Sequence, residues 1–474
     1  MSLERKILTI TKPTLPIEQM DMADTSEQTI KKHKLAGAIW PIVEINNYQF
    51  NEDEIDSLYL DETGFMPKIR IGVMIHNGIF MSKYFPKDGD PMSLFIRSKT
   101  DEFKPIRCDF EITLINAMPS LSETGDVQHF TIEGVLRIPG IYAVWCKSFK
   151  EKTSYDTLID VCNELKVGFA SNETSTSDKM TWINSFDTYE KFLKDITSAS
   201  YKDDDSFFKS YFDHYYHLNF VNMNNQFTDE VNIEDALEVL NVSDDFIKSE
   251  NYVTKSDTKI ILGNHKALKG TGNFILGYTL TNKAGQVFID NGYRRYLQYY
   301  DFPLNETKFA DKYKSYFVEP LNTKGTKDKV LLRGRTNEDF FSKYNKYKWM
   351  GSQYELPSGN CHENYFQAVL QNKQNNEEIE KMILKINLGK CNFNLYRGQM
   401  VPVVILNIGN TRRQKQTLDD AQDVNNETSL DKFLSGTYMI HAINYSWSSE
   451  TATFTQHLEL SRREWPMPNV TIPK

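Results

Sequence analysis

Alternating apolar and polar positions characterise the first third of the chain. Apolar residues recur at every second position from Ile69 to Ile75, and Asn77-Gly78 then supplies the positive φ angles that a tight hairpin turn needs. Residues 106–114 and 130–136 show the same two-residue period. The pattern therefore predicts an antiparallel β region over residues 40–145.

A helical period replaces this alternation between residues 150 and 215. The apolar faces of three predicted helices consist of Tyr155, Leu158, Cys162 and Leu165, of Tyr189, Phe192, Leu193 and Ile196, and of Phe207, Phe208, Tyr211 and Phe212. Ser154 is the predicted N-cap of the first helix, with Asp156 in its first turn. The third helix is predicted to begin at the acidic run 203–205, because carboxylates favour the positive end of a helix dipole. We expect a small α subdomain here.

The periodicity is weak from residue 230 to residue 380, so no element is assigned there. Strict alternation returns at 382–388, and three further segments, 401–406, 438–447 and 453–460, have the character of strands. Residues 411–430 form a predicted polar loop. The C-terminal part of the chain is therefore expected to be a second β region.

The first 38 residues mix charges with prolines and lack a sustained period. This composition is typical of an extended arm that orders only against a partner. The whole chain has 474 residues, which at about 150 residues per domain corresponds to about three domains.

Composition narrows the possible functions. A net charge of −9 disfavours general binding to DNA phosphates, which depends on clustered Lys and Arg. The five cysteines, Cys108, Cys146, Cys162, Cys361 and Cys391, are an odd number without close pairs, so free thiols and a reducing compartment are expected. The N-terminus lacks the apolar segment of a secretory signal, and the apolar runs are far shorter than the about 20 residues of a membrane-spanning helix, so no membrane insertion is expected.

Three arrangements in the sequence are candidate sites of chemistry. Gly270-Thr271-Gly272 lacks the further glycine or the Lys of a phosphate-binding loop and is interpreted as a turn between strands. Asp213, His214 and His217 place two imidazoles three residues apart at a predicted helix end, but their aromatic neighbours favour partly buried histidines over metal ligands. Cys361-His362 follows a predicted turn and is interpreted as structural. No catalytic, cofactor-binding or metal-binding residue is assigned, and no cofactor is expected.

Two aromatic clusters remain. Cations interleave with aromatic residues at Lys343, Tyr344, Lys346, Tyr347, Lys348 and Trp349, which favours a solvated strand or a protein-docking surface over a nucleic-acid groove, given the acidic chain. A second cluster, Tyr293, Tyr296, Tyr299, Tyr300 and Phe302, is interpreted as core or interface, although it could also stack on a sugar.

Several phrases occur in an order that resembles one family. They are GVLRIPGIY (134–142), TSYDTL (153–158), GFASN (168–172), DKMTWI (178–183), DDDSFF with YYHLNFVN (203–222), YRGQMVPVVIL (396–406), and LSGTYMIHAINYSW (434–447) with LELSRREWP (458–466). Together they resemble the central baseplate hub proteins of contractile-tailed phages, relatives of late control protein D and of the N-terminal part of the type VI secretion spike. Residues 240–380 match nothing in that pattern, which indicates a family-specific insertion.

The resemblance implies a mainly β, α+β fold, with two tube-type antiparallel β-barrel-like domains, an inserted helical module and a peripheral insertion. The expected segments are an arm at 1–38, a first tube domain at 39–148, a helical module at 149–230, a region at 231–380 that holds the start of the second tube domain and the insertion, the rest of that domain at 381–466, and a tail at 467–474. The chain would be a structural virion protein and not an enzyme.

The resemblance also implies partners. Three copies would form a ring that joins the tail tube protein to the central spike protein, with baseplate wedge and tape measure proteins as further contacts. Genome DNA would pass through the channel without specific binding, which the acidic charge favours. The expected location is the tail baseplate of the virion, after assembly in the cytoplasm of the host bacterium.

Two other classes of function stay open. One is a tail-associated peptidoglycan hydrolase whose catalytic domain lies in residues 240–380, because a carboxylate pair for glycoside cleavage has no spacing signature. The other is a receptor-binding or glycan-binding tail protein that uses the tyrosine cluster near Tyr296.

Overall fold

The computed structural model describes residues 6–17, 41–75, 79–97, 103–119, 127–227, 261–264, 268–283, 286, 295–300, 313–318, 346–352, 361–407, 429–431 and 433–462. The strands are β1 (Leu8–Thr11), β2 (Pro41–Ile45), β3 (Tyr48–Gln49), β4 (Ile55–Asp61), β5 (Lys68–Ile75), β6 (Pro91–Ile96), β7 (Ile106–Pro119), β8 (Gln128–Leu136), β9 (Val144–Lys152), β10 (Gly168–Ser171), β11 (Met180–Thr188), β12 (Phe208–Phe212), β13 (His217–Asn222), β14 (Leu262–Gly263), β15 (Ile275–Asn282), β16 (Arg295–Tyr300), β17 (Tyr313–Val318), β18 (Lys346–Ser352), β19 (Met382–Leu388), β20 (Met400–Val404), β21 (Leu406–Asn407), β22 (Ser429–Leu430), β23 (Gly436–Ser448) and β24 (Thr453–Ser461). The helices are α1 (Ser154–Glu164), α2 (Tyr189–Ala199), α3 (Met223–Gln226) and α4 (Tyr365–Glu380), with a π-helical turn at Phe80–Tyr84.

The predicted mainly β, α+β fold is confirmed, and one large sheet contains most of it. Its strand order is β15-β19-β24-β23-β4-β5-β8-β7-β6-β2-β3, and β14 and β20 attach beside β23. Strands from the N-terminal and C-terminal β regions meet where β4 pairs with β23, from Asp61 opposite Asn444 to Ser57 opposite Ser448. Among the described strands this sheet is open, because its end strands β15 and β3 do not pair with each other. The N-terminal and C-terminal β regions therefore share one continuous sheet.

The alternating positions predicted as strands form β5, β7 and β8, and their apolar residues are buried except for Ile112 and Leu114 of β7. Asn77-Gly78, the predicted hairpin turn, lies outside the described residues. The next strand, β6, pairs with β2 and β7 and not with β5, so the chain does not fold back on β5 at that point. A bulge in β7 between Ile112 and Leu114 reverses the alternation, which leaves Leu114 44% exposed.

The module between the two β regions is mixed and not purely helical. Helices α1 and α2 are where the helical period predicts them, but the predicted third helix is wrong because residues 208–212 form β12, paired antiparallel with β13. This strand is largely buried, with Phe208 stacked on Phe220 at 4.7 Å, and a strand buried on both faces lacks the alternation that would distinguish it from a helix. The acidic run forms a turn, in which the Asp205 N–H donates to Asp203 Oδ1 at 3.1 Å.

The start of α1 also differs from the prediction. Its N-cap is Thr153 and not Ser154, since the Thr153 hydroxyl accepts a hydrogen bond from the Asp156 N–H at 3.1 Å. Ser154 is fully buried one residue later and contacts Asp178 instead.

The N-terminal segment was expected to order only against a partner. In residues 6–17, β1 pairs antiparallel with β10 of its own chain, and Ile7 is buried in one apolar cluster with Tyr211, Met400 and Met439, while the rest of the segment lies outside the described residues. Leu8 and Ile10 stay exposed on the outer face of this strand.

The region that the periodicity left unassigned contains regular elements. The predicted turn at Gly270 is confirmed between β14 and β15, with a Gly270 φ of +90°. Strands β16, β17 and β18 form a separate three-stranded sheet, and α4 packs beside α2. In the part of the chain that the structure describes, no helix is both long and apolar enough to cross a membrane.

Candidate functional site

A buried arginine joins the two β regions. Arg397 lies in the loop before β20, is 6% exposed and donates to three backbone carbonyls. Its Nε donates to His441 O in β23 at 2.7 Å, and its Nη1 and Nη2 donate to Gly64 O at 2.5 Å and Thr63 O at 2.8 Å in the β4–β5 loop. One side chain therefore ties the loop of the N-terminal region to the C-terminal region, beside the β4–β23 pairing.

Tyr211 of the module packs against this arginine. The guanidinium lies over the Tyr211 ring, 4.2 Å from its centroid, and the Tyr211 hydroxyl donates to Arg397 O at 2.7 Å. Burial lowers the pKa of Arg397 and raises the pKa of Tyr211. Gly398, with φ +84°, permits this approach, because a Cβ there would lie 2.8 Å from Tyr211 Oη and 2.9 Å from Ile7 Cδ1.

A buried carboxylate and a buried imidazole form a second polar contact at the junction of the two β regions, beside Arg397. His214 Nδ1 contacts Glu62 Oε1, and both residues are about 95% buried, with 5% and 4% exposed. Burial by itself lowers the pKa of His214, but the charge of Glu62, its hydrogen bond and the charge of Asp213 together outweigh burial and raise the pKa. Burial by itself raises the pKa of Asp213, but the hydrogen bonds from His217 and the charges of His217 and His214 together outweigh burial and lower that pKa to about 2.

The side chains of Asp213, His214 and His217, the candidate metal ligands, do not converge on one site. Asp213 and His214 lie in the tight turn between β12 and β13, where Asp213 O accepts from the Tyr216 N–H at 3.1 Å, and His217 begins β13, so none of them lies at a helix end. His214 is directed to Glu62, while His217 Nδ1 lies 3.5 Å from Asp213 Oδ1. Among the described residues, no group of three or more His, Cys, Asp or Glu is arranged to hold a metal ion.

The raised pKa of His214 predicts a pH-dependent contribution to stability. A raised pKa adds stability that is complete below the unfolded value of about 6.5 and is lost as the pH rises through the folded pKa. We expect His214→Gln to lower the free energy of unfolding by about 2 kcal/mol at pH 6, the value of a buried hydrogen bond to a charged group, and by less at pH 9. Urea unfolding at both pH values measures this, with the exposed His129→Gln as control. An equal loss at both pH values would contradict the prediction.

A third polar contact links the module to α4 and β23. Lys209 Nζ donates to Glu380 Oε1 at 2.7 Å and lies 3.5 Å from His441 Nε2. Burial lowers the pKa of Lys209, and burial together with Lys209 and Arg397 holds the pKa of His441 well below its ordinary value. The imidazole is therefore neutral at pH 7, which limits the positive charge in the junction.

Within the module, one buried carboxylate organises three segments. Asp178 is fully buried and accepts from the Ser154 N–H at 2.8 Å, the Ser154 hydroxyl at 2.5 Å, the Thr176 hydroxyl at 2.7 Å and the Tyr201 N–H at 2.8 Å. Its charge lies at the N-terminus of α1, where the helix dipole favours an anion. Two of the phrases singled out in the sequence, TSYDTL and DKMTWI, thus meet at one hydrogen-bonded site.

The remaining candidates have structural surroundings or lie outside the described side chains. His362 is buried with Nε2 3.1 Å from Ala199 O, and burial lowers its pKa, while Cys361 is partly buried. The lysine–tyrosine cluster falls partly on β18 and the tyrosine cluster partly on β16, strands that pair in parallel. The other residues of both clusters, and the side chains of these strands, lie outside what the structure describes.

Sequence reasoning missed Arg397 and Glu62 as partners in the junction. Arg397-Gly398 was interpreted only as a turn into a strand, because two of the three carbonyls that Arg397 binds are 333 and 334 residues away in sequence and the third is 44 residues away. The only available signal was an arginine inside one of the family-like phrases.

Comparison with known proteins gave structural matches alone: no family model and no curated protein matches the chain. The 43 kDa tail protein of prophage MuSo2 from Shewanella oneidensis is similar over 90% of this chain and 99% of its own, with 8% identity and a TM-score of 0.47. A tail protein from Neisseria meningitidis MC58 is similar over 90% and 96%, with 8% identity and a TM-score of 0.47. A chain of the Francisella PdpA-VgrG complex is similar over 96% of this chain and 63% of its own, with 10% identity and a TM-score of 0.44.

Proposed function

We propose that the protein is a structural component of a phage tail, the central hub of the baseplate. The observation that carries this proposal is the single sheet that fuses the N-terminal and C-terminal β regions, with Arg397 buried at their junction. A sheet shared in this way resists separation of the two β regions. A protein that transmits load between a tube and a spike needs this resistance. The ordered phrases in the sequence support the same function.

The chemistry of the described residues supports a structural function. The ionisable groups of the junction, Glu62, His214, Lys209 and Arg397, all contact other parts of the chain and hold segments together. The hub would act as a homotrimer that binds the tail tube protein on one side and the central spike protein on the other. Wedge and tape measure proteins would be further neighbours.

The proposed ring encloses the channel for the genome. With a net charge of −9, the chain would repel phosphates, so DNA would slide through without specific binding. The protein would be assembled in the bacterial cytoplasm and would function in the virion baseplate.

Purification of the chain, alone and with the spike protein, tests this proposal. Native mass spectrometry is expected to give a trimer, and negative-stain class averages are expected to show threefold rings with a central hole and a pseudo-sixfold outline. A monodisperse monomer in the presence of the spike protein would contradict the proposal. Clearing of host cell wall in a zymogram would favour the hydrolase alternative instead.

A further inference from the structure

The large sheet ends in a strand with unusual exposure. Strand β15 has the sequence ILGYTLTN, without a charged residue, and among the described strands it pairs only with β19. Leu276 is 66% exposed and Tyr278 is 44% exposed. Tyr278 is opposite Ile386, which is buried, so the face of β15 that carries Tyr278 continues the core-facing side of the sheet into solvent.

A second open edge lies in the module. Strand β9 has nine residues, five consecutive exposed positions from Val144, and β11 as its one partner among the described strands. Val144 is 62% exposed and Trp145 46% exposed. Lys147 and Lys152 of this strand contact Glu164 and Asp160 of α1, so these lysine head groups are held by the chain itself.

A strained residue enlarges the apolar surface beside β9. Phe186 lies in the bulge of β11 opposite β9, has a φ of +58° and is 74% exposed. A positive φ is costly for a bulky side chain, and such strain is a reason to look for a function. Tyr142, 41% exposed, precedes β9.

Long apolar strand edges promote association unless another strand covers them. A cyclic trimer is built from heterologous contacts, in which one surface of each copy meets a different surface of the next. We propose that β9 of one copy pairs with β15 of the next copy, so that three such contacts close the ring. This inference rests on the trimer proposed above and names the surfaces that form it.

The apolar area is consistent with this contact. The exposed large side chains on the two edges are Tyr142, Val144, Trp145, Phe186, Leu276 and Tyr278. At roughly 100 Å² each, given aromatic side chains of 150–250 Å² that are about half exposed, they supply about 600 Å². That is half of the about 1,200 Å² of a small stable interface, and the paired backbones and neighbouring polar residues would supply the rest.

Two other edges fit less well. Strand β1 has four residues, too few for a long ladder. The outer half of β7, which exposes Leu114 and Met118, ends at Pro119, and a proline blunts an edge because it has no N–H to donate.

Lysine substitutions at exposed positions test the pairing without disturbing the core. Val144→Lys on β9 and Leu276→Lys on β15 are each expected to raise the concentration needed for trimers at least tenfold by native mass spectrometry. Met118→Lys, at a 64% exposed position on β7, is the matched control and is expected to trimerise as the wild type does. Unchanged melting temperatures would show that all three variants fold.

A mixture of the two variants tests the direction of the contact. The Leu276→Lys chain keeps an intact β9 and the Val144→Lys chain keeps an intact β15, so a one-to-one heterodimer is expected where each variant alone is monomeric. Wild-type trimer stability in either variant, or no heterodimer in the mixture, would overturn the pairing and leave the hub proposal standing. A wild-type chain that stays monomeric with the spike protein would instead overturn the hub proposal and this pairing with it.

Discussion

Replacing Arg397 by methionine is expected to lower the free energy of unfolding by about 4–5 kcal/mol. Methionine keeps much of the apolar volume but leaves the carbonyls of Thr63, Gly64 and His441 without their donor, and each unsatisfied buried carbonyl costs about 1–3 kcal/mol. Glu62 would also lose a neighbouring positive charge in a buried setting. Urea unfolding measures the loss.

Two further variants make the Arg397 prediction specific. Arg397→Lys keeps the charge but cannot reach three carbonyls with one ammonium group, so it is expected to lose about half as much stability. Arg70→Met, at an exposed position with a 3.7 Å contact to Glu133, is expected to change stability by less than about 0.5 kcal/mol. If Arg397→Met resembled Arg70→Met, the junction would not depend on this arginine.

Asp178→Ala is expected to lower the free energy of unfolding by about 3–4 kcal/mol and to destabilise the module more than the large sheet. The variant leaves the N–H groups of Ser154 and Tyr201 buried without an acceptor, whereas the hydroxyls of Ser154 and Thr176 can still bond to each other at 3.0 Å. Thermal melting would report the loss, and hydrogen exchange at the amides of Ser154 and Tyr201 would locate it.

The control for this variant is a second carboxylate of the module, Asp187 in β11. Asp187→Ala removes an exposed contact to Lys191, 2.8 Å long, and is expected to change stability by less than about 0.5 kcal/mol. Faster exchange throughout the large sheet, and not in the module, would show that Asp178 does not act where the hydrogen bonds place it.

The elements with one buried face were predictable from the sequence. Alternation along β5 and the helical face of α2 are direct consequences of burial on one side, so they are visible without knowledge of the neighbours. Strand β12 was assigned to a helix because its burial depends on β13, α4 and the arginine junction, which only the tertiary structure brings together.

The junction was beyond sequence reasoning for a related reason. Its contacts join residues that are far apart in the chain, such as Glu62 with His214, 152 residues away. A lone glutamate, histidine or arginine has no periodicity, so its burial and partner are fixed only by the packing of whole sheets. The Thr153 cap shows the same limit at short range, because Thr153 and Ser154 are both good caps and Asp178 decides between them.

The pairing of β4 with β23 has a consequence for the synthesis of the protein. Asp61 lies opposite Asn444, so the ribosome must add roughly 380 residues after β4 before its partner exists, which takes about 20–75 s at bacterial and eukaryotic elongation rates of about 5–20 residues per second. During that time the edge of β4 that later faces β23 has no native partner and is open to other nascent chains. Final closure of the sheet is therefore a late event, and chaperones that hold the N-terminal strands apart until release would raise the yield of folded protein.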